Sequence, residues 1–236
     1  MNILISGADR GLGFGMAKLL AEKGHVVFAG RYMQEWKELD ALQEKYPDRL
    51  FCVELDVGDE ESVRAARREI EKKVSCLDML ISNAGINGKL DGEVMMESNY
   101  EFMMRTYNIN SLGAVRLVEI FYQMMEGSDS KRMCFVSSEA GSIAQAKRAD
   151  NFNYCMSKAA LNMYVKLIYN RLSPQGYHFR LYHPGWIRSY MGGKLSEKGN
   201  LSIEEAAEYA VTYFLDETAD ESELVLYGYD GEKFKF

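Results

Sequence analysis

Asn2-Ile3-Leu4-Ile5-Ser6-Gly7-Ala8-Asp9-Arg10-Gly11-Leu12-Gly13 decides how the rest of the chain is read. Its apolar run lacks in/out alternation, as expected of a strand covered on both faces, and it passes straight into glycines at the turn, the helix start and the first helical turn. Glycine lets the backbone come close to a pyrophosphate, whose charge the unpaired N–H groups and positive end of the following helix then stabilise. The residues of this turn expected to contact the bound ligand are Gly7, Asp9, Arg10, Gly11, Leu12 and Gly13. A glycine-rich turn with no ligand is the alternative, and the position directly after the first strand weighs against it.

Outward from this turn the chain repeats a βα rhythm. Apolar β-type runs near 2–6, 25–29, 50–55, 78–82, 131–137, 177–182 and 223–227 alternate with helical periodicity near 11–23, 34–46, 59–73, 97–125, 153–172 and 203–215, the fourth helix broken around Asn108 to Asn110. Strands such as Met79-Leu80-Ile81 and Cys134-Phe135-Val136 are apolar throughout. The predicted fold is a single α/β domain over 1–236, a Rossmann-type doubly wound sheet of about seven mostly parallel strands with helices on both faces. Three stretches without clear periodicity, near 86–96, 139–152 and 189–201, follow predicted strands, and ligands of such sheets bind beyond the strands' carboxyl ends.

Composition narrows the partners. A net charge of -7 gives no general attraction to nucleic acid or an acidic membrane, so a small-molecule partner is expected. The N-terminus has no basic flank and too short an apolar run for a signal peptide or membrane span, which makes the cytoplasm the expected location. Cys52, Cys76, Cys134 and Cys155 lack the spacing of a zinc site and are read as reduced thiols; no metal site is expected.

The second strand ends Phe28-Ala29-Gly30-Arg31, where a carboxylate about 20 residues after the glycine turn would otherwise meet a free ribose 2′-hydroxyl. Arg31 instead suits a 2′-phosphate, and Arg10 offers a second guanidinium, so NADP(H) is predicted over NAD(H).

Further along, Asn153-Tyr154-Cys155-Met156-Ser157-Lys158 sets a phenol and an ammonium four residues apart on one helical face. An ammonium nearby favours the phenolate, which would bring a phenol with an ordinary pKa of about 10 toward the working range of a proton donor. By itself such a pair occurs on many solvated helices.

Joined with the glycine turn, the pair resembles the short-chain dehydrogenase/reductase family over nearly the whole chain. Gly7, Gly11 and Gly13 have the family's G-x-x-x-G-x-G spacing. Leu55-Asp56-Val57 looks like its adenine-contacting strand end, and Ser82-Asn83-Ala84-Gly85 like its N-N-A-G element. His183-Pro184-Gly185-Trp186-Ile187-Arg188-Ser189 looks like the segment that meets the nicotinamide. The resemblance implies a catalytic tetrad of Asn110, Ser138, Tyr154 and Lys158. It also implies cofactor contacts from Asp56, Val57, Asn83, Ala84, Gly85, Pro184, Gly185, Ile187 and Ser189 beside the turn, Arg31, Tyr154 and Lys158.

Ser138 and Tyr154 are sixteen apart, a longer interval than most members of the family have. With the ending Tyr229-Asp230-Gly231, this is similar to the subgroup of the bacterial C-signal factor and the insect carbonyl reductase sniffer, although Tyr190 stands where many of those relatives have Asp. The implied activity is NADP(H)-dependent hydride transfer between nicotinamide and a carbonyl or alcohol, with Tyr154 as acid/base. The alternative is an NADP(H)-binding signalling or regulatory protein with little turnover. Met95, Met96, Phe152, Trp186, Tyr190 and Met191 are candidates for an apolar substrate wall, Gly192-Gly193 for a hinge, and Lys147 and Arg148 for attraction of an anionic substrate. The resemblance also implies a homodimer or homotetramer. Leu117, Ile120, Phe121, Met124, Leu161, Tyr164, Val165 and Ile168 either line that interface or face the sheet.

Overall fold

A computed structural model describes residues 1–88, 98–191 and 195–236. Among them, strands β1 (Asn2–Ile5), β2 (Val26–Arg31), β3 (Leu50–Glu54), β4 (Met79–Ser82), β5 (Arg132–Val136), β6 (His178–His183), β7 (Leu226–Gly228) and β8 (Lys233–Phe234) form one sheet of order β3-β2-β1-β4-β5-β6-β7-β8. Neighbours pair in parallel except β7 with β8. The predicted doubly wound sheet is present with eight strands rather than about seven. The extra one is two residues long, too short for any periodicity, and is held antiparallel by the turn at Tyr229-Asp230-Gly231.

The helices are α1 (Gly11–Glu22), α2 (Glu38–Lys45), α3 (Glu60–Glu71), α4 (Tyr100–Tyr107), α5 (Gly113–Met125), α6 (Phe152–Leu172) and α7 (Ile203–Leu215). Side chains alternate along each strand between two cores. Ile3, Ile5, Met79 and Ile81 pack against α1, α2 and α7. Leu4 and Leu80 point the other way, toward α3, α5 and α6. Helix α1 approaches α7 closely: a Cβ on Gly15 would lie 2.9 Å from the Ala207 Cβ.

Two differences from expectation have local causes. Helix α2 begins at Glu38 rather than near 34, because 32–37 forms a turn that reaches back to the glycine loop. The expected break at Asn108 to Asn110 is a π-helical turn, Asn108–Leu112, that joins α4 to α5 without interrupting the helical path. Such a widened turn rotates the side chains that follow it, and it sits where Asn110 must point inward.

The alternatives for the helix faces also separate. Leu117, Ile120, Phe121, Met124, Leu161 and Val165 lie in the core on the sheet side, with Tyr164 and Ile168 partly buried against it. Met95, Met96 and Gly192-Gly193 lie outside the described residues. Among the described residues, no helix is long and apolar enough to cross a membrane.

Candidate active site

The carboxyl ends of β1 and β4 meet at the glycine turn. The Ser6 hydroxyl accepts from the N–H groups of Asn83 and Ala84, both at 3.0 Å. The Asn83 amide donates back to the carbonyls of Ser6 and Gly7, at 2.9 and 3.0 Å. Gly7 has φ +64°, and a Cβ there would come 2.9 Å from the Ala84 Cα. A Cβ on Gly13 would lie 2.1 Å from the Gly7 carbonyl oxygen, so only glycine allows helix and turn to close this tightly. Asn83, expected as a cofactor contact, therefore braces the turn. The opening of α1 is left free: Arg10 makes no capping hydrogen bond there and no acidic residue lies in the first turn, so the helix end is open to an anion.

Beside it lies the end of β2. The buried Asp9 carboxylate accepts from the Met33 N–H at 2.9 Å, drawing the segment after β2 against the turn. Arg10 hydrogen-bonds the Met33 sulfur, and its guanidinium lies 5.4 Å from the Trp36 ring centre. Arg31 binds Asp40 at 2.6 Å through Nη1, while its buried Nε–H has no partner. That ion pair holds the Asp40 carboxyl below its ordinary pKa. Asp56 accepts from the Gly58 N–H at 2.7 Å, and Val57 packs against Gly113. An uncapped helix start and a guanidinium N–H without a partner among the described residues are donors that could hold a 2′-phosphorylated dinucleotide.

The residues expected as a tetrad come from α6, the π turn and the end of β5. On α6, Tyr154, Ser157, Lys158, Leu161, Asn162 and Val165 form one buried stripe. The Asn110 amide donates to the Ile86 carbonyl at 2.9 Å and the Ser157 hydroxyl at 3.0 Å, and its oxygen accepts from the Ile86 N–H at 2.8 Å. The Ser111 hydroxyl donates to the Ser157 carbonyl at 2.8 Å. The π turn thus clamps α6 to the chain leaving β4. At β5, the Ser137 hydroxyl donates to Asn162, whose amide donates to the Gly141 carbonyl at 3.0 Å. A Cβ on Gly141 would lie 2.7 Å from the Lys158 backbone, so the Ser138 turn lies directly on α6.

Lys158 is 3 % exposed and donates to the Val136 carbonyl at 2.9 Å, with Nζ 5.7 Å from the Tyr154 ring centre. Burial brings its pKa down from 10.5 to about 8. The Tyr154 phenol is pushed up to about 12, chiefly by burial, while a hydrogen bond with Ser138 pulls the other way. The expected lowering of the phenol by the ammonium is therefore not found in the cofactor-free chain: desolvation dominates both groups.

Beyond β6, Gly185 adopts φ +77°, and a Cβ there would strike the Tyr229 ring at 2.7 Å. Ile187 bridges to Leu201, and Ser189 lies against Gly11, 3.9 Å from where a Cβ would stand. Pro184 to Ser189 thus runs back over the glycine turn. His183 contacts the rings of Tyr229 and Phe234 at 6.4 and 5.5 Å, and burial lowers its pKa. The long 139–152 loop is tied at both ends. Arg148 pairs with Glu139 rather than standing free for an anion, and the Ser142 hydroxyl and Gln145 side chain bind the backbone of Lys235. Of the expected apolar wall, Trp186 and Met191 are exposed and Phe152 half-buried, whereas Tyr190 packs on Trp36.

The structure brings Ser138, Tyr154 and Lys158 together, with the glycine turn, Arg10, Arg31 and Ser189 at the same carboxyl end of the sheet. Ser6, Ser111, Ser157, Asn162 and Trp36 were missed by sequence reasoning. For Ser157 and Asn162 a signal existed: polar residues at three- and four-residue spacing on the apolar stripe that carries Tyr154. For Ser6 and Trp36 there was none.

A sequence profile described as short chain dehydrogenase matches residues 1–200. An uncharacterized oxidoreductase of Schizosaccharomyces pombe is 30% identical over 196 residues, covering 82% of this chain and 76% of that protein. The C-signal protein of Myxococcus xanthus is 37% identical over 117 residues, 50% of this chain and 69% of that one. Among solved structures, the NADPH-bound carbonyl reductase from chicken fatty liver superposes with a TM-score of 0.87 at 27% identity, covering 100% of this chain and 98% of that one.

Proposed function

The chain belongs to the short-chain dehydrogenase family, and from that premise we propose that it is an NADP(H)-dependent carbonyl reductase, reversible as an alcohol dehydrogenase, with Tyr154 as its acid/base. NADP(H) is its cofactor in preference to NAD(H): a structural relative binds NADPH, Arg31 stands where a carboxylate would otherwise meet the ribose, and Arg10 in the glycine turn offers a second guanidinium. Gly7 to Gly13 with the start of α1 would hold the diphosphate, and Pro184 to Ser189 the nicotinamide. When bound, the cofactor supplies the hydride.

The observation that carries the reading is the buried trio of Ser138, Tyr154 and Lys158 at the sheet's carboxyl end. A phenol held near 12 is fully protonated at neutral pH, the state a donor to a developing alkoxide needs. As the proton leaves, the Lys158 ammonium stabilises the phenolate, and Ser138 holds the carbonyl oxygen beside the phenol. Asn110 fixes α6 against the chain leaving β4, and its backbone carbonyl offers a water-mediated path from Lys158 to solvent.

A panel of ketones, aldehydes, quinones and steroids followed by NADPH absorbance tests this reading, with Tyr154→Phe as control. Turnover should fall by about a thousandfold in the variant while NADPH still binds. NADPH binding with no turnover of any carbonyl favours the alternative of a binding protein with a signalling or regulatory role.

For the assembly that the resemblance implies, we propose the exposed face of α4 and α6. Tyr100, Met104 and Tyr107 on α4 and Met156, Met163 and Leu167 on α6 are exposed, and a groove of about 250 Å³ runs between the two helices. Pairing of this face with a second copy would cover it, as a homodimer or one half of a homotetramer. Sedimentation should show the dimer or tetramer, and a stable monomer at micromolar concentration would overturn it.

A further inference from the structure

Trp36 lies between β2 and α2, and Tyr190 between β6 and α7. These segments leave the sheet from strands with β1, β4 and β5 between them. At about 4.8 Å per strand, the strand ends stand roughly 19 Å apart. Even so, the two rings meet edge to face, with centres 4.7 Å apart and planes at 69°. Each ring is held from its own side. Trp36 is in contact with the Arg10 guanidinium, and its segment is anchored through the Asp9 carboxylate on the Met33 N–H. Tyr190 follows Ser189, whose carbonyl accepts from the Ser196 N–H at 3.0 Å, while the Arg188 N–H donates to the Leu201 carbonyl at 2.9 Å. Between the anchors lies the glycine turn, with Gly11 facing Ser189.

We propose that Trp36 and Tyr190 form a clasp that closes over the bound cofactor, linking the loop on its 2′-phosphate side to the segment on its nicotinamide side and setting how long it stays bound. This rests on the cofactor reading above. The ring contact stands without cofactor and must open for a dinucleotide to enter as well as to leave, so it slows both steps. Tyr190 is a positioning residue: it acts through Trp36 and through the Ser189 segment that it pins. The ring is what matters, since the contact is made by the ring edge and face rather than by the hydroxyl.

The test needs no carbonyl substrate. NADPH bound to the protein is displaced by excess NADP+ in a stopped-flow instrument, and the nicotinamide fluorescence gives the dissociation rate. Tyr190→Ala should raise that rate about two- to tenfold and raise the association rate as well. Tyr190→Phe should match the unaltered protein, and Trp36→Ala combined with Tyr190→Ala should be no worse than the more affected single variant. In a Trp186→Phe background, Trp36 is the only tryptophan and its emission in cofactor-free protein should change on Tyr190→Ala. An unchanged dissociation rate in Tyr190→Ala, a Phe variant as fast as the Ala variant, or additive effects would overturn the clasp. An unaltered protein that binds no NADPH would instead remove the cofactor reading beneath it, whatever the Trp36 emission does.

Discussion

Lys158 and Arg180 are both buried cations, at 3 % and 1 % exposure, and they are treated in opposite ways. Arg180, inside β6, is bound by the Glu221 carboxylate and donates to the carbonyls of Phe179, Tyr213 and Asp216, with the Tyr213 ring 5.4 Å away. Its neighbour Arg132 on β5 donates to the Phe214 carbonyl at 2.7 Å, so two strands hold the end of α7. Among the described residues, Lys158 has one carbonyl and a phenol ring, and burial lowers its pKa. A buried charge surrounded by acceptors is part of the scaffold. One left short of them remains available to a ligand and to a proton, and such groups collect where chemistry is done.

Neutralising each cation in turn should therefore give mirror-image results. Lys158→Met should lower turnover by about a thousandfold and raise the melting temperature of the cofactor-free protein, since it removes a charge whose burial costs about 3 kcal/mol. Arg180→Met should leave turnover of the folded protein nearly intact and destabilise it by about 3 kcal/mol, because Glu221 and the end of α7 lose their partner. For a chain of this length that is roughly 6–12 °C in melting temperature. Calorimetry with steady-state rates on both variants would break the comparison if the two moved together.

pH sharpens the same contrast. Unfolded, Lys158 keeps its proton up to about its ordinary 10.5; folded, it releases it near 8. Below pH 8 both states are charged and the native state bears the whole desolvation cost. Between 8 and 10.5 the unfolded state binds more protons, so rising pH favours the native chain, and above that range both are neutral. The stability advantage of Lys158→Met over the unaltered protein should shrink across this window, as urea unfolding at stepped pH would record. A constant difference between the proteins from pH 7 to 10.5 would mean that the lysine is not desolvated.

What the sequence made legible follows from the range of each interaction. Strand and helix positions were readable because Ile3-Leu4-Ile5 and Met79-Leu80-Ile81 are buried on both faces, and helical spacing shows within one segment. The glycines were readable because a tight turn at Gly7 and Gly13 admits no side chain. The supports were not, since Ser6 with Ala84, Asn110 with Ile86, and Ser142 with Lys235 are pairs between segments far apart in sequence. The direction of the Tyr154 shift was misjudged for a related reason. Spacing of four residues gives proximity to an ammonium, but burial outweighs it.

Arg31 stands between the two buried cations in character, with one arm on Asp40 and its Nε–H unpartnered, and it allows the smallest but most directional test. If that free donor is what meets the 2′-phosphate, Arg31→Ala should raise the KM for NADPH about tenfold and leave that for NADH almost unchanged. Asp40→Asn keeps the guanidinium and removes the competing carboxylate, so the KM for NADPH should move the other way, by less than about threefold because the pair is partly exposed and screened. Opposite signs in the two variants fit a guanidinium divided between scaffold and ligand. Equal rises in both would make the ion pair a structural brace like that of Arg180, and leave Arg10 to carry the preference alone.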